Sequence, residues 1–151
     1  MRISAKADYA VRAAVELAAA GEGPVKGDAI ARAQEIPLNF LENILRDLRT
    51  AGIVASRRGQ DGGYWLARPG SEVSVADIIR AVEGPLAAVR GSHPEDTVYP
   101  GVAAPLQRVW IAVRTNLRAV AENVSVADIA ASALPADIDR LADDPESWET
   151  R

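Results

Sequence analysis

The tightest constraint on this chain is a junction near residue 52. Leu41, Ile44, Leu45 and Leu48 repeat at i, i+3, i+4 and i+7, the buried stripe of an amphipathic helix. Pro37 stands at its start and Ala51-Gly52 is suited to end it. Directly afterwards Ile53-Val54-Ala55-Ser56-Arg57 and Tyr64-Trp65-Leu66-Ala67 read as two short strands, joined by Arg58-Gly59-Gln60-Asp61-Gly62-Gly63. Three glycines in five residues predict a sharp, exposed hairpin. Because these glycines sit in a hairpin and do not open a helix, they are not a phosphate-binding loop.

Upstream, Ser4 can cap a helix running to about Ala20, with Ala7, Val11, Ala14, Val15 and Ala18 on one face. Gly21-Glu22-Gly23-Pro24 ends it, and a short helix follows over roughly Asp28 to Glu35. Three helices and then a glycine-tipped hairpin is the order of a winged helix-turn-helix. In that arrangement the third helix enters the major groove and the hairpin touches the flanking backbone or minor groove. The expected fold is therefore mainly α with a small β-hairpin wing, an α+β winged helix-turn-helix over residues 1–85.

Downstream, Ser74 with Asp77 forms a capping box for a helix carrying Val75, Ile78, Ile79 and Val82, stopped by Gly84-Pro85. Residues 86–104 show no periodicity and read as a loop. From Pro105 to about Asn123 a long helix carries Leu106, Val109, Trp110, Val113, Leu117 and Val120 on one stripe. A stripe this long after a complete small domain needs a partner surface, and the same helix of a symmetric second copy is the simplest one. Residues 105–142 are thus assigned to the dimerisation helix and C-terminal helices, and 143–151 to a polar, frayed tail. Val73-Ser74-Val75-Ala76-Asp77-Ile78 recurs as Val124-Ser125-Val126-Ala127-Asp128-Ile129 between unmatched flanks, so it reads as one helix-start solution used twice.

The formal charge of −4 is unusual for a partner of nucleic acid, but it is unevenly spread. Residues 1–69 hold 10 Lys plus Arg against 8 Asp plus Glu, and residues 70–151 hold 7 against 13. The first half can still meet a phosphate backbone. There are no cysteines, which removes disulfides, thiolate nucleophiles and ordinary iron-sulfur ligation. A single histidine leaves no nucleophile and base pair, so no enzyme is expected. The N-terminus lacks the apolar core of a signal peptide and no run is long enough to span a membrane, which predicts a cytoplasmic protein.

Opposite the buried stripe of the third helix, Asn39, Glu42, Asn43 and Arg46 recur at spacings of three and four. These are side chains that read base edges: Asn pairs bidentately with adenine, Arg with guanine, and Glu accepts from the cytosine amino group. Arg57 and Arg58 stand at the hairpin tip, where Gly59 lets backbone approach DNA closely and an arginine can enter a narrow minor groove. The alternative is a winged-helix protein-interaction module that does not bind DNA, its acidic second half holding a partner.

The Ser4 to Tyr9 run, Ile36-Pro37-Leu38-Asn39-Phe40-Leu41-Glu42, and above all Arg58 to Pro69 resemble the IscR, NsrR and CymR family of bacterial repressors. The helix Ser74 to Gly84 fits it as well. The resemblance implies a homodimer on a palindromic promoter site in double-stranded DNA, with Asn39, Glu42 and Asn43 in the major groove and Arg58 in the minor groove. Position 39 is more often Ser in that family, so the operator sequence is not carried over. Many of these relatives place three cysteines in the loop ahead of the long helix to hold an iron-sulfur cluster; residues 91–104 here have none. His93, Glu95, Asp96 and Tyr99 are hard donors, but a lone His in a Pro-containing loop reads as solvated. No metal and no cofactor are expected, which leaves a small-molecule or protein effector unnamed. Trp110, at a helical core position, reads as packing before it reads as the wall of a ligand site.

Overall fold

In the computed structural model, which covers residues 1–151, Ser4 caps α1 (Ala5–Ala20) by accepting from the Ala7 N–H at 3.0 Å. α1 is the central rod: α2 (Gly27–Gln34), α3 (Leu38–Thr50), α4 (Val75–Glu83) and α6 (Val126–Ala130) all pack against it. Ala7, Ala10, Ala13, Ala14 and Leu17 are therefore buried. The expected face holds for Ala7 and Ala14, while Val11, Val15 and Ala18 are only partly buried at its margin. The difference has a steric cause. Helices crowding α1 from several sides need small residues at the contact, so alanines are enclosed where larger side chains would hold the helices apart.

Between α2 and α3 the chain turns in three residues. Glu35 adopts a left-handed conformation (φ 53°), the N–H of buried Ile36 donates to the Ala31 carbonyl at 2.9 Å, and Pro37 leads into α3. Leu41, Ile44, Leu45 and Leu48 are all 0% exposed, as their spacing requires. Burial of each such side chain contributes roughly 1.5–3 kcal/mol. Polar contacts fix the helices around this core: Lys6 pairs with Asp47 at 2.8 Å, and Arg12 donates to the Gln34 carbonyl at 3.1 Å. The Arg12 guanidinium also lies 4.9 Å from the Tyr9 ring centre, and Tyr9 meets Phe40 edge-on at 6.2 Å.

Gly52 turns the chain out of α3 into β1 (Val54–Arg57), which pairs antiparallel with β2 (Gly63–Leu66), Val54 opposite Leu66 and Arg57 opposite Gly63. The fold is mostly helical with a two-stranded ribbon, the winged architecture that the element order predicts. Val25, ahead of α2, adds a further rung. It exchanges two backbone hydrogen bonds with Tyr64, each 2.8 Å, and so fastens the ribbon to the helix-turn-helix.

The duplicated hexapeptide forms a capping box in each copy, Ser74 with Asp77 and Ser125 with Asp128. The two copies also pair with each other. The Val75 N–H donates to the Val124 carbonyl and the Val126 N–H to the Val73 carbonyl, each at 2.9 Å, around a Ser74–Ser125 bridge. Val73 and Val126 are 0% exposed, so the chain returns after α5 (Leu106–Ala121) to complete the core begun by α1 and α3.

α5 itself buries no residue, and Val109 and Val120 of its apolar stripe are exposed. The aperiodic segment before it is nonetheless docked: Pro94 and Thr97 are buried, Trp110 Nε1 donates to the Tyr99 hydroxyl at 3.0 Å, and Arg114 pairs with Glu95. The chain ends in α7 (Ala136–Asp143) and a 3-10 turn at Pro145–Trp148.

Candidate nucleic-acid interface

Because one face of α3 is fully committed to the core, the opposite face must meet solvent or a partner. Asn39, Glu42, Asn43 and Arg46 are all exposed there. None of the four makes a side-chain hydrogen bond or ion pair within the chain. Elsewhere on the helical unit, Lys6, Arg12 and Asp47 are paired within the chain. Unsatisfied amides and a free guanidinium on an exposed ridge are donors and acceptors available to base edges.

The two arginines of the wing are not equivalent. Arg57 folds back and donates to the Asp61 carbonyl at 3.0 Å, bracing the hairpin tip, whereas the Arg58 side chain is exposed and makes no hydrogen bond or ion pair within the chain. Gly59 is exposed with φ 105°, and its carbonyl accepts from Lys26 Nζ at 2.9 Å. The wing is also tied to the end of the third helix, where Arg49 donates to Ser56 Oγ at 3.1 Å. Helix, wing and the segment ahead of α2 therefore form one continuous braced surface, presenting Arg46 and Arg58 as its free cations.

Lys26, Val25 and Arg49 were not singled out by the sequence. A single β-branched residue after Pro24 gives no strand signal, and a lysine at a helix start reads as solvated surface until the fold brings residue 59 against it. At the other end of the candidate set, Leu106, Trp110, Val113 and Leu117 of α5 are half-buried and Val109 and Val120 exposed. They lie on one apolar stripe of which Val109 and Val120 stand open to solvent, while Trp110 meets Tyr99 and, with Val113, lines a cleft against residues 87–90.

A helix-turn-helix whose third helix presents unpaired base-reading side chains beside a braced hairpin wing defines a winged helix-turn-helix regulator. Comparison with known proteins agrees. The family model described as Rrf2, iron-dependent transcriptional regulator, matches residues 3–132. An HTH-type transcriptional regulator of Mycobacterium tuberculosis, Rv1287, is 50% identical over 151 residues, covering 99% of this chain and 94% of that protein. The regulator CymR of Bacillus subtilis is 34% identical over 132 residues, covering 86% of this chain and 90% of that one. Among solved structures, B. subtilis CymR, described as a global cysteine regulator, superimposes with a TM-score of 0.73 at 32% identity, covering 88% of this chain and 98% of that chain. T. potens IscR gives 0.69 at 31% identity, covering 100% and 93%. The chain belongs to the Rrf2 family, and it is a DNA-binding transcriptional regulator.

The family description names iron, and the residues here do not fit that metal. The chain has no thiolate to offer, and no three His, Asp or Glu side chains are grouped to hold an ion. Two of the four donors of the loop are otherwise engaged: Glu95 is paired with Arg114, and the Tyr99 hydroxyl accepts from Trp110.

Proposed function

We propose that this regulator is a homodimeric repressor that binds a palindromic promoter site in the cytoplasm. In this reading α3 lies in the major groove with Asn39, Glu42, Asn43 and Arg46 at base edges. The wing sets Arg58 into the flanking minor groove, Gly59 allowing close approach, and Arg57 shapes the tip through Asp61. The observation that carries it is the free, unpaired side-chain set on α3 standing beside a wing braced by Lys26 and Val25. The protein performs no catalysis in this account; its output is occupancy of a promoter.

Dimerisation is supported by the exposed part of the α5 stripe, Val109 and Val120. An apolar stripe along about four helical turns of the 16-residue α5 costs free energy in proportion to the area it leaves in water, and an antiparallel or crossed copy of itself removes that cost by symmetry. Two reading helices related by a two-fold axis then demand an inverted repeat, with half-sites one helical turn, about 10 bp, apart or a multiple of it. Selection of bound duplexes from a random pool tests this. An enriched inverted repeat is expected, and a pool that never departs from random sequence would overturn the reading. Transcription in vitro from a promoter carrying the recovered site should fall as protein is added; a rise would make the protein an activator.

A further inference from the structure

Where α4 ends, the chain passes through Pro85 and Leu86 and returns through the 3-10 turn at Pro94–Asp96 to lie against α5. These three segments enclose a cleft of about 280 Å³, lined by Arg80, His93, Glu95, Arg114 and Arg118 over a floor of Pro85 and Leu86. Three guanidiniums and an imidazole thus face one carboxylate. A second carboxylate, Glu122, reaches the rim, where it pairs with Arg80 and, at 2.9 Å, with Arg118.

Both acids are already in use. The Glu95 carboxyl is held below the usual carboxylate range first by a hydrogen bond from backbone and then by Arg114. Glu122 is held low by Arg80 and then Arg118. Both stay ionised near neutrality, and even so the three arginines leave the cluster with net positive charge. The guanidiniums also retain spare donors. Arg114, only 17% exposed, spends Nη1 on Glu95 while its Nε is buried with no acceptor. A guanidinium has five N–H groups in a fixed fork, and a buried one left without an acceptor costs free energy. Arginine forks of this kind match the paired oxygens of carboxylate and phosphate. The volume lies at the low end of the range for ligand pockets, roughly 300–1,000 Å³, which suits a compact occupant.

We propose that this cleft is a binding site for a small dianionic oxyanion, phosphate- or carboxylate-bearing, held by Arg80, Arg114 and Arg118. An occupant would bridge α4 of the winged unit to α5, linking the DNA-reading part of the chain to the long helix. The binding itself does not depend on the DNA-binding reading.

Isothermal titration of the full-length protein at constant ionic strength, with sodium phosphate in one arm and sodium succinate in the other, tests it. One probe should saturate one site per chain, and which one does so separates the phosphate source from the carboxylate source. Arg118→Gln, at an exposed side chain whose one partner in the chain is Glu122, should weaken that binding at least tenfold, and Arg114→Gln should do the same wherever its thermal melt stays cooperative. Arg46→Ala with Arg58→Ala, which removes free cations from the DNA face, should leave it unchanged. Absence of saturable binding of either probe through the millimolar range would overturn the proposal. So would binding that survives Arg118→Gln, or that disappears with the DNA-face pair.

Discussion

Replacing Gly63 by alanine would set a methyl carbon 2.6 Å from the Val25 carbonyl oxygen and 2.8 Å from the carbonyl carbon, closer than non-bonded atoms can stand. Gly63 also has φ 148°, a conformation that side-chain-bearing residues rarely adopt. The wing can relieve the overlap only by moving away from Val25. That movement breaks the two 2.8 Å hydrogen bonds between Val25 and Tyr64. At about 1 kcal/mol net for each bond, plus about 1 kcal/mol of backbone strain, the loss is roughly 2–3 kcal/mol. For a chain of this size that lowers Tm by roughly 5–10 °C. The wing would also lose its fixed position, and with it the Arg58 contact to DNA, weakening affinity about tenfold. Calorimetry and fluorescence anisotropy on a labelled operator duplex measure the two effects. A Gly63→Ala protein that melts within a degree of wild type and binds DNA equally well would refute the view that the Val25 rung positions the wing.

Three other outcomes follow from the same contacts. Val109→Asp combined with Val120→Asp places charges on the exposed α5 ridge and should give a monomer by sedimentation, with each helical unit folded and operator affinity reduced by far more than tenfold. Glu122→Gln should lower Tm at pH 7, because the folded carboxyl titrates below its ordinary value of 4.5 and its ionised form is the one that Arg80 and Arg118 stabilise. That contribution is fully present above pH 4.5 and is lost as pH falls through the folded value, so the wild-type and variant melts should converge in acid; a gap constant with pH would contradict the assignment. Val126→Ala, in the copy of the hexapeptide that pairs back onto Val73, should cost roughly 1–3 kcal/mol in chemical denaturation although it lies beyond α5.

Much of the fold was legible because it is written in short-range patterns. Leu41, Ile44, Leu45 and Leu48 carry the helical period, Ser74 and Asp77 the capping box, and the three wing glycines the turn. What escaped the sequence is what the chain brings together from far apart. Val25 meets Tyr64 across 39 positions, and the two copies of the hexapeptide meet across 51. Neither pairing leaves a local signature. The same limit applies to the candidate site. Asn39, Glu42, Asn43 and Arg46 share a face because helical spacing puts them there, but only the fold shows Arg57 turned onto Asp61 while Arg58 stays free. The cleft between α4 and α5 could not be read at all, since its arginines lie up to 38 residues apart and each alone looks like solvated surface.

The central claim is that α3 and the wing tip bind DNA through side chains the protein leaves unpaired. The most direct test is anisotropy titration of the selected operator duplex with wild type and with Asn43→Ala, Arg46→Ala and Arg58→Ala, one at a time, over a range of salt. Arg46→Ala and Asn43→Ala should each cost about 1–3 kcal/mol on the operator, with little change on random duplex. Arg58→Ala should weaken binding and flatten the salt dependence by about one unit of slope. All three should keep the wild-type melt, since none of these side chains holds another part of the chain. Three variants that bind the operator as tightly as wild type would contradict the account.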